Sequence, residues 1–260
     1  MEQIAAQARV RRMSVARFGV RRVAAVVVTA LALLLVVSAE DRPAAAPAVA
    51  AIAAAAPAAV PVRIMPLGAS STEGIGSPAT GGYRGLLQTM LGTDGIVFDF
   101  VGSLHQADVP GVRDPDHEGH SGWTIAQMKP LVRGWIRAQH PDVVLLHVGT
   151  NDMLRNVSPA ETARQLGALL DDIAAEAPDA HVIVAGVWAP MPQRIEFARQ
   201  AAVVVAAQQA KGRASTFVDT SGLLQSPGEF IDGLHANPAG YRKIARMWEK
   251  QIRAALPPTR

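Results

Sequence analysis

The run Val143-Val144-Leu145-Leu146-His147-Val148 leaves this chain few possible folds. It is apolar at nearly every position and shows no alternation with polar residues. A strand of that kind has both faces covered, as in a parallel sheet packed between helices. The rest of the chain agrees with such a sheet. Val62–Leu67, Ile96–Val101, residues 180–187 and Ser215–Val218 are further apolar runs of strand length. Between them lie segments of helical period at 83–93, Thr124–Gln139, 159–176, 193–211 and 238–255. Thr124 is suited to N-cap its helix, and Ser158-Pro159 supplies an N-cap followed by Pro in the first turn. Five strands alternating with helices predict an α/β fold, a parallel sheet in a three-layer α/β/α sandwich. Reactive groups in such folds gather beyond the carboxyl ends of the strands.

The folded part is expected to start near Val62. Before it, residues 23–37 read VAAVVVTALALLLVV, with Arg21-Arg22 ahead and Val37-Ser38-Ala39 behind. A basic region, an apolar run and small residues at a cleavage point make up a secretory signal peptide. Residues 1–39 are therefore expected to direct secretion, or to anchor the protein in a membrane if they stay uncleaved. Residues 40–61, almost all Ala, Pro and Val, read as a linker, and 62–260 as the domain. The net charge of +3 misleads here, because six arginines fall within residues 1–39. The remainder holds 19 basic and 21 acidic residues. That balance speaks against a nucleic-acid partner. The absence of cysteine removes thiol nucleophiles and disulfides.

Four loops at predicted strand ends carry candidate chemistry. Gly68-Ala69-Ser70-Ser71-Thr72-Glu73-Gly74 follows the first strand and offers Ser70 as a nucleophile near free backbone N–H groups. Taken alone, Ser70 also reads as a turn or helix cap. The spacing fits neither a phosphate loop nor a dinucleotide loop. Asp114–Trp123 contains His117, His120 and three acids, but not at zinc-ligand spacing, so no metal is expected. Its Gly122 can bring a backbone N–H close to substrate. Gly149-Thr150-Asn151-Asp152 places an amide, Asn151, at the end of the most apolar strand. That amide can meet a developing oxyanion or simply support a turn. Asp232-Gly233-Leu234-His235 precedes the last helix. There Asp232 can orient His235 as a general base. Nucleophile, base, orienter and oxyanion donors thus all fall at one predicted sheet edge.

These residues resemble the SGNH hydrolases, the GDSL esterase/lipase superfamily. Ser70, Gly122, Asn151 and His235 match the four name-giving residues in order, and Asp232-x-x-His235 matches the final block. The strings IMPLGASSTEGIGS, GGYRG, DPDHEGHSGWT, PDVVLLHVGTND and DGLHANPAGYRKIA are most similar to the branch with acetylxylan esterases, carbohydrate esterase family three. The resemblance spans roughly residues 62–255. It implies a flavodoxin-like sheet of order 2-1-3-4-5 and a secreted serine esterase with a Ser70–His235–Asp232 triad. Its oxyanion hole would comprise the Ser70 and Gly122 N–H groups and Asn151. It further implies no cofactor, and an ester substrate such as O-acetylated polysaccharide; a monomer is expected. A lipid or aryl ester is the rival substrate, and a glycan-binding protein of the same fold the rival class. Trp123 and Trp188 are candidates to stack on sugar rings or to pack against helices. One position departs from the family pattern. Ala69 stands where the first block usually has Asp.

Overall fold

The computed structural model describes residues 59–256. The predicted leader and most of the linker lie outside the described residues. The central sheet is built on β1 (Val62–Gly68), β5 (Val143–His147), β6 (His181–Ala185) and β7 (Ser215–Val218), hydrogen-bonded side by side and parallel. β2 (Phe98–Phe100) pairs with the first half of β1, at Val62–Ile64. β4 (Asp116–Gly119) pairs with its last two residues, Leu67 and Gly68. The short β3 (Leu104–His105) adds antiparallel to β4. The predicted order 2-1-3-4-5 is thus present, but the predicted five strands become seven. Two short segments share the edge of β1 that a single strand was expected to fill. The predicted strand 96–101 shrinks to three residues because β4 occupies the rest of that edge. β4 itself lies inside Asp114–Trp123, which the sequence suggested was all loop.

Side-chain alternation distributes the strands between two cores. Met65, Leu67, Val144 and Leu146 face one side, where α3 (Ile125–Gln139), α5 (Pro159–Glu176) and α6 (Arg194–Ala210) pack on them. Ile64, Val143, Leu145 and Ile183 face the other, covered by α2 (Arg84–Thr93) and α7 (Pro238–Ala255) through Leu87, Tyr241, Ile244 and Trp248. All five residues of β5 are buried, as expected of a strand apolar on both faces.

Local chemistry starts the helices where the sequence indicated. Ser158 accepts the N–H of Glu161 at 3.2 Å, with Pro159 in the first turn of α5. Thr124 stands at the N-cap of α3, its own N–H donating to Gln127 Oε1 at 3.0 Å. Asn237 accepts from Ala239 and Gly240 at 2.9 and 3.1 Å, starting α7 directly after the Asp232–His235 loop. Two short helices, α1 (Ser70–Glu73) and α4 (Thr150–Leu154), begin at the ends of β1 and β5.

Candidate active site

α1 begins at Ser70, immediately past β1, and so projects Ser70 at the carboxyl edge of the sheet. The loop before α7 comes to the same edge. There His235 Nε2 lies 3.0 Å from Ser70 Oγ, across 165 residues of sequence. Its Nδ1 lies 2.6 Å from Asp232 Oδ2. Asp232 Oδ1 accepts the backbone N–H groups of Leu234 and His235 at 2.9 and 2.7 Å. These bonds, the backbone ones first and the imidazole next, pull the Asp232 carboxyl down to about 2. It therefore stays ionised beside the imidazole throughout the neutral range. The loop is tied at both ends. Ile231 N–H donates to His235 C=O at 2.9 Å, and Asn237 N–H to Glu229 C=O at 2.8 Å.

The three predicted oxyanion donors line or flank the same space. Among the described residues, neither the Ser70 N–H nor the Gly122 N–H has a hydrogen-bond partner. Gly122 sits at φ 78°, a left-handed conformation that L side chains avoid. Its two neighbouring peptides are pinned: Ser121 N–H donates to Glu73 Oε2 at 3.2 Å, and Arg155 donates to Gly122 C=O at 3.0 Å. Asn151, on α4, spends one amide hydrogen on Trp123 C=O at 2.9 Å, which leaves the other available. Gly149, before α4, has φ 101°, and a Cβ there would fall 2.9 Å from Phe197. Asp152, fully buried, accepts Ile125 N–H at 3.1 Å through Oδ1 and so ties α4 to the start of α3. Burial raises its pKa.

Sequence reasoning did not find the groups that hold the Ser70 loop in the absence of an Asp at 69. Ala69 is buried, and nothing caps α1 from its side chain. Support comes from outside the loop instead. Arg84, fully buried, donates to Glu73 C=O at 3.1 Å and to Pro115 C=O at 3.2 Å, and also bonds Gln106 Oε1. Burial lowers its guanidinium to about 10, so it remains charged at neutral pH. Tyr241 on α7 donates its hydroxyl to Ile75 C=O at 2.6 Å. His120 N–H donates to Gly68 C=O at 2.9 Å. The signal available beforehand was Arg84 within Gly-Gly-Tyr-Arg-Gly, a charge at the start of a helix whose buried face holds Leu87 and Leu91.

The histidines weighed as metal ligands are engaged elsewhere. His117 is buried, which pushes its imidazole down to about 3, and its Nδ1 accepts Gly119 N–H at 3.0 Å. His120 Nε2 lies 2.6 Å from buried Glu118, and its ring stacks against both Trp123 and Trp135. Of the two candidate stacking tryptophans, Trp123 is half-buried and borders the site. Trp188 is 1% exposed and lies flat on His147, ring centroids 3.4 Å apart, so packing and not sugar stacking occupies it.

Ser70 and His235 open onto a small cavity of about 10 Å³, with Trp123, Asn151, His147 and Trp188 among its walls. That is about the space of one water. His147 holds an unpartnered Nε2, and burial pushes the ring down to about 3, keeping it neutral. A serine hydroxyl bonded to an imidazole, an ionised carboxylate behind it and free N–H donors in front can deprotonate the hydroxyl and stabilise an oxyanion.

The chain is 26% identical over 231 residues to a multidomain esterase of Ruminococcus flavefaciens, covering 76% of this chain and 29% of that protein. It is 32% identical over 130 residues to a putative endoglucanase X of Acetivibrio thermocellus, covering 49% and 57%. It therefore spans well under two thirds of these relatives. Among solved structures, a family 3 carbohydrate esterase of Clostridium thermocellum superposes with TM-score 0.70 at 35% identity, covering 75% of this chain and 98% of that one. A carbohydrate esterase family 3 structure from Talaromyces cellulolyticus gives TM-score 0.64 at 26% identity, covering 75% and 98%. The model of the GDSL-like lipase/acylhydrolase family matches residues 67–243, which run from the end of β1 into α7, and the chain belongs to that family.

Proposed function

We propose that this protein is a carboxylic ester hydrolase that releases short acyl groups, acetate above all, from O-acetylated polysaccharide such as acetylxylan. The observation that carries the reading is the Ser70–His235–Asp232 row opening onto a cavity of about 10 Å³. Its walls include the buried His147–Trp188 stack, and the space suits a methyl group better than a long acyl chain. Similarity to family 3 carbohydrate esterases supports the polysaccharide as alcohol component. Trp123, at the border of the site, is the side chain placed to meet a sugar ring.

Ser70 Oγ attacks the ester carbonyl while its proton passes to His235 Nε2. The Ser70 and Gly122 N–H groups and the free Asn151 hydrogen hold the resulting oxyanion. As it collapses, the C–O bond to the alcohol breaks and His235 returns the proton to the leaving oxygen. Water then attacks the acyl-serine, giving a proton to His235, and collapse releases the acid and restores the Ser70 hydroxyl. Residues 1–39 are assigned to export, so that the enzyme meets its polymer outside the cell.

The test has two arms. Ser70→Ala is expected to abolish fluorophosphonate labelling and hydrolysis of p-nitrophenyl acetate. The parent enzyme is expected to release acetate from acetylated xylan faster than it cleaves long-chain aryl esters. Parent-like turnover by Ser70→Ala, or preference for long chains, sinks the reading.

A further inference from the structure

The geometry points to a subsite for a uronic-acid residue of the polysaccharide, beside the acyl site and centred on Arg194. This inference rests on the acetyl-polysaccharide reading above and adds a substrate class to it. A second cavity, about 640 Å³, is lined by Pro190, Arg194, Ser221, Gln225, Ser226 and Asp232, among others. It abuts the acyl cavity through consecutive residues. Ala189 and Leu234 line the acyl cavity, while their chain neighbours Pro190 and Gly233 line this one. The two cavities thus share a wall, and a polymer whose acetylated sugar reaches Ser70 has room for a nearby sugar here.

The cavity has one cation. Among the described residues Arg194 makes no ion pair. Its one hydrogen bond is long, 3.5 Å to Ser221 C=O, and its buried Nε has no partner. The arginines on exposed helix faces contrast with it, since Arg164 and Arg199 each grip a carboxylate three residues away. The single acid in the cavity wall, Asp232, does not serve Arg194. Its two oxygens are taken by His235 and two backbone N–H groups. A guanidinium with open donors recognises a planar carboxylate in particular. The Ser221 and Ser226 hydroxyls and the Gln225 amide supply the uncharged donors and acceptors that sugar hydroxyls need. A carboxylate carried on a sugar ring is a uronate.

The experiment uses the full chain, as parent, Arg194→Gln and Arg194→Lys. Substrates are acetylated xylo-oligosaccharides that differ by one glucuronate substituent, with p-nitrophenyl acetate as control for the parent. The parent is expected to favour the uronate-bearing ester by about tenfold in kcat/KM, through KM, the size of one charge-assisted hydrogen bond. Added salt reduces the preference. Arg194→Gln brings the ratio near one, and Arg194→Lys keeps part of it, with melting temperatures checking that each variant is folded. A parent without uronate preference, or an Arg194→Gln variant that keeps it, overturns the subsite. Cleavage of the aryl ester alone, with neither oligosaccharide touched, overturns the polysaccharide reading and the subsite with it.

Discussion

Replacing Asp232 by Asn tests the far end of the catalytic row, and the structure makes the outcome counter-intuitive. The two carboxylate oxygens have different work. Oδ1 accepts two backbone N–H groups at 2.9 and 2.7 Å, and Oδ2 faces His235 Nδ1 at 2.6 Å. An amide has one oxygen, and the two backbone donors claim it. Its NH2 then faces Nδ1, so the imidazole presents a lone pair there and carries its proton on Nε2, pointing at Ser70. A base with its proton already in place cannot take another. The opposite amide placement sets NH2 against two N–H donors and forfeits two hydrogen bonds of about 1 kcal/mol each. That preference of about 2 kcal/mol leaves only a few per cent of molecules in the working tautomer. The lost negative charge adds a further ~1–2 kcal/mol, modest because 47% of the Asp232 side chain is open to solvent screening. The sum is a fall of about 10²–10³-fold in kcat. Asp232→Ala loses the charge but forces no tautomer, since water can reach Nδ1. It should cost only about 5- to 30-fold on the same reasoning. Measuring kcat on p-nitrophenyl acetate for the parent, Asp232→Asn, Asp232→Ala and His235→Ala checks the ranking, with His235→Ala the slowest. Should Asp232→Asn match or exceed Asp232→Ala, the partition of the two oxygens is wrong.

Other expectations can be measured alongside. Asn151→Ala removes one oxyanion donor and its anchor on Trp123, so kcat should fall about 10²–10³-fold with KM little changed, as steady-state kinetics would report. The folded Asp232 carboxyl lies at about 2, below its ordinary value of roughly 4. Its contribution to stability is therefore complete above pH ~4 and lost as pH falls toward 2, so acid unfolding should be shallower in Asp232→Asn over that window. Trp188→Ala removes a buried wall of the acyl cavity. It should cost about 3–5 kcal/mol in denaturant unfolding and raise the butyrate-to-acetate rate ratio, and an unchanged ratio would remove Trp188 from the acyl wall.

Much of this architecture was legible beforehand because its signals are local. β5 announces itself through a nearly unbroken run of apolar side chains, and α5 through Ser158-Pro159 at its start. The strand order came through the family resemblance. The edge of β1 was legible only in part. Ile96–Val101 reads as a strand, yet only Phe98–Phe100 of it pairs with β1, and the polar Asp116–Gly119, which shows no strand period, takes up the end of that edge. Trp188 was equally ambiguous, since a tryptophan in a loop looks the same whether it meets a sugar or His147.

Residue type and strand period are written along the chain, so the groups able to do chemistry, and their place at strand ends, can be read from it directly. Their distances come from packing alone. The 3.0 Å between Ser70 and His235 spans 165 residues, and no local rule sets it. The same holds for what replaces Asp at position 69. The Ser70 loop is held by Arg84 of α2, Tyr241 of α7 and His120 just after β4, brought together by packing. A hydrogen bond needs its partners within about 3 Å, and at long sequence separation only the packed core can place them there.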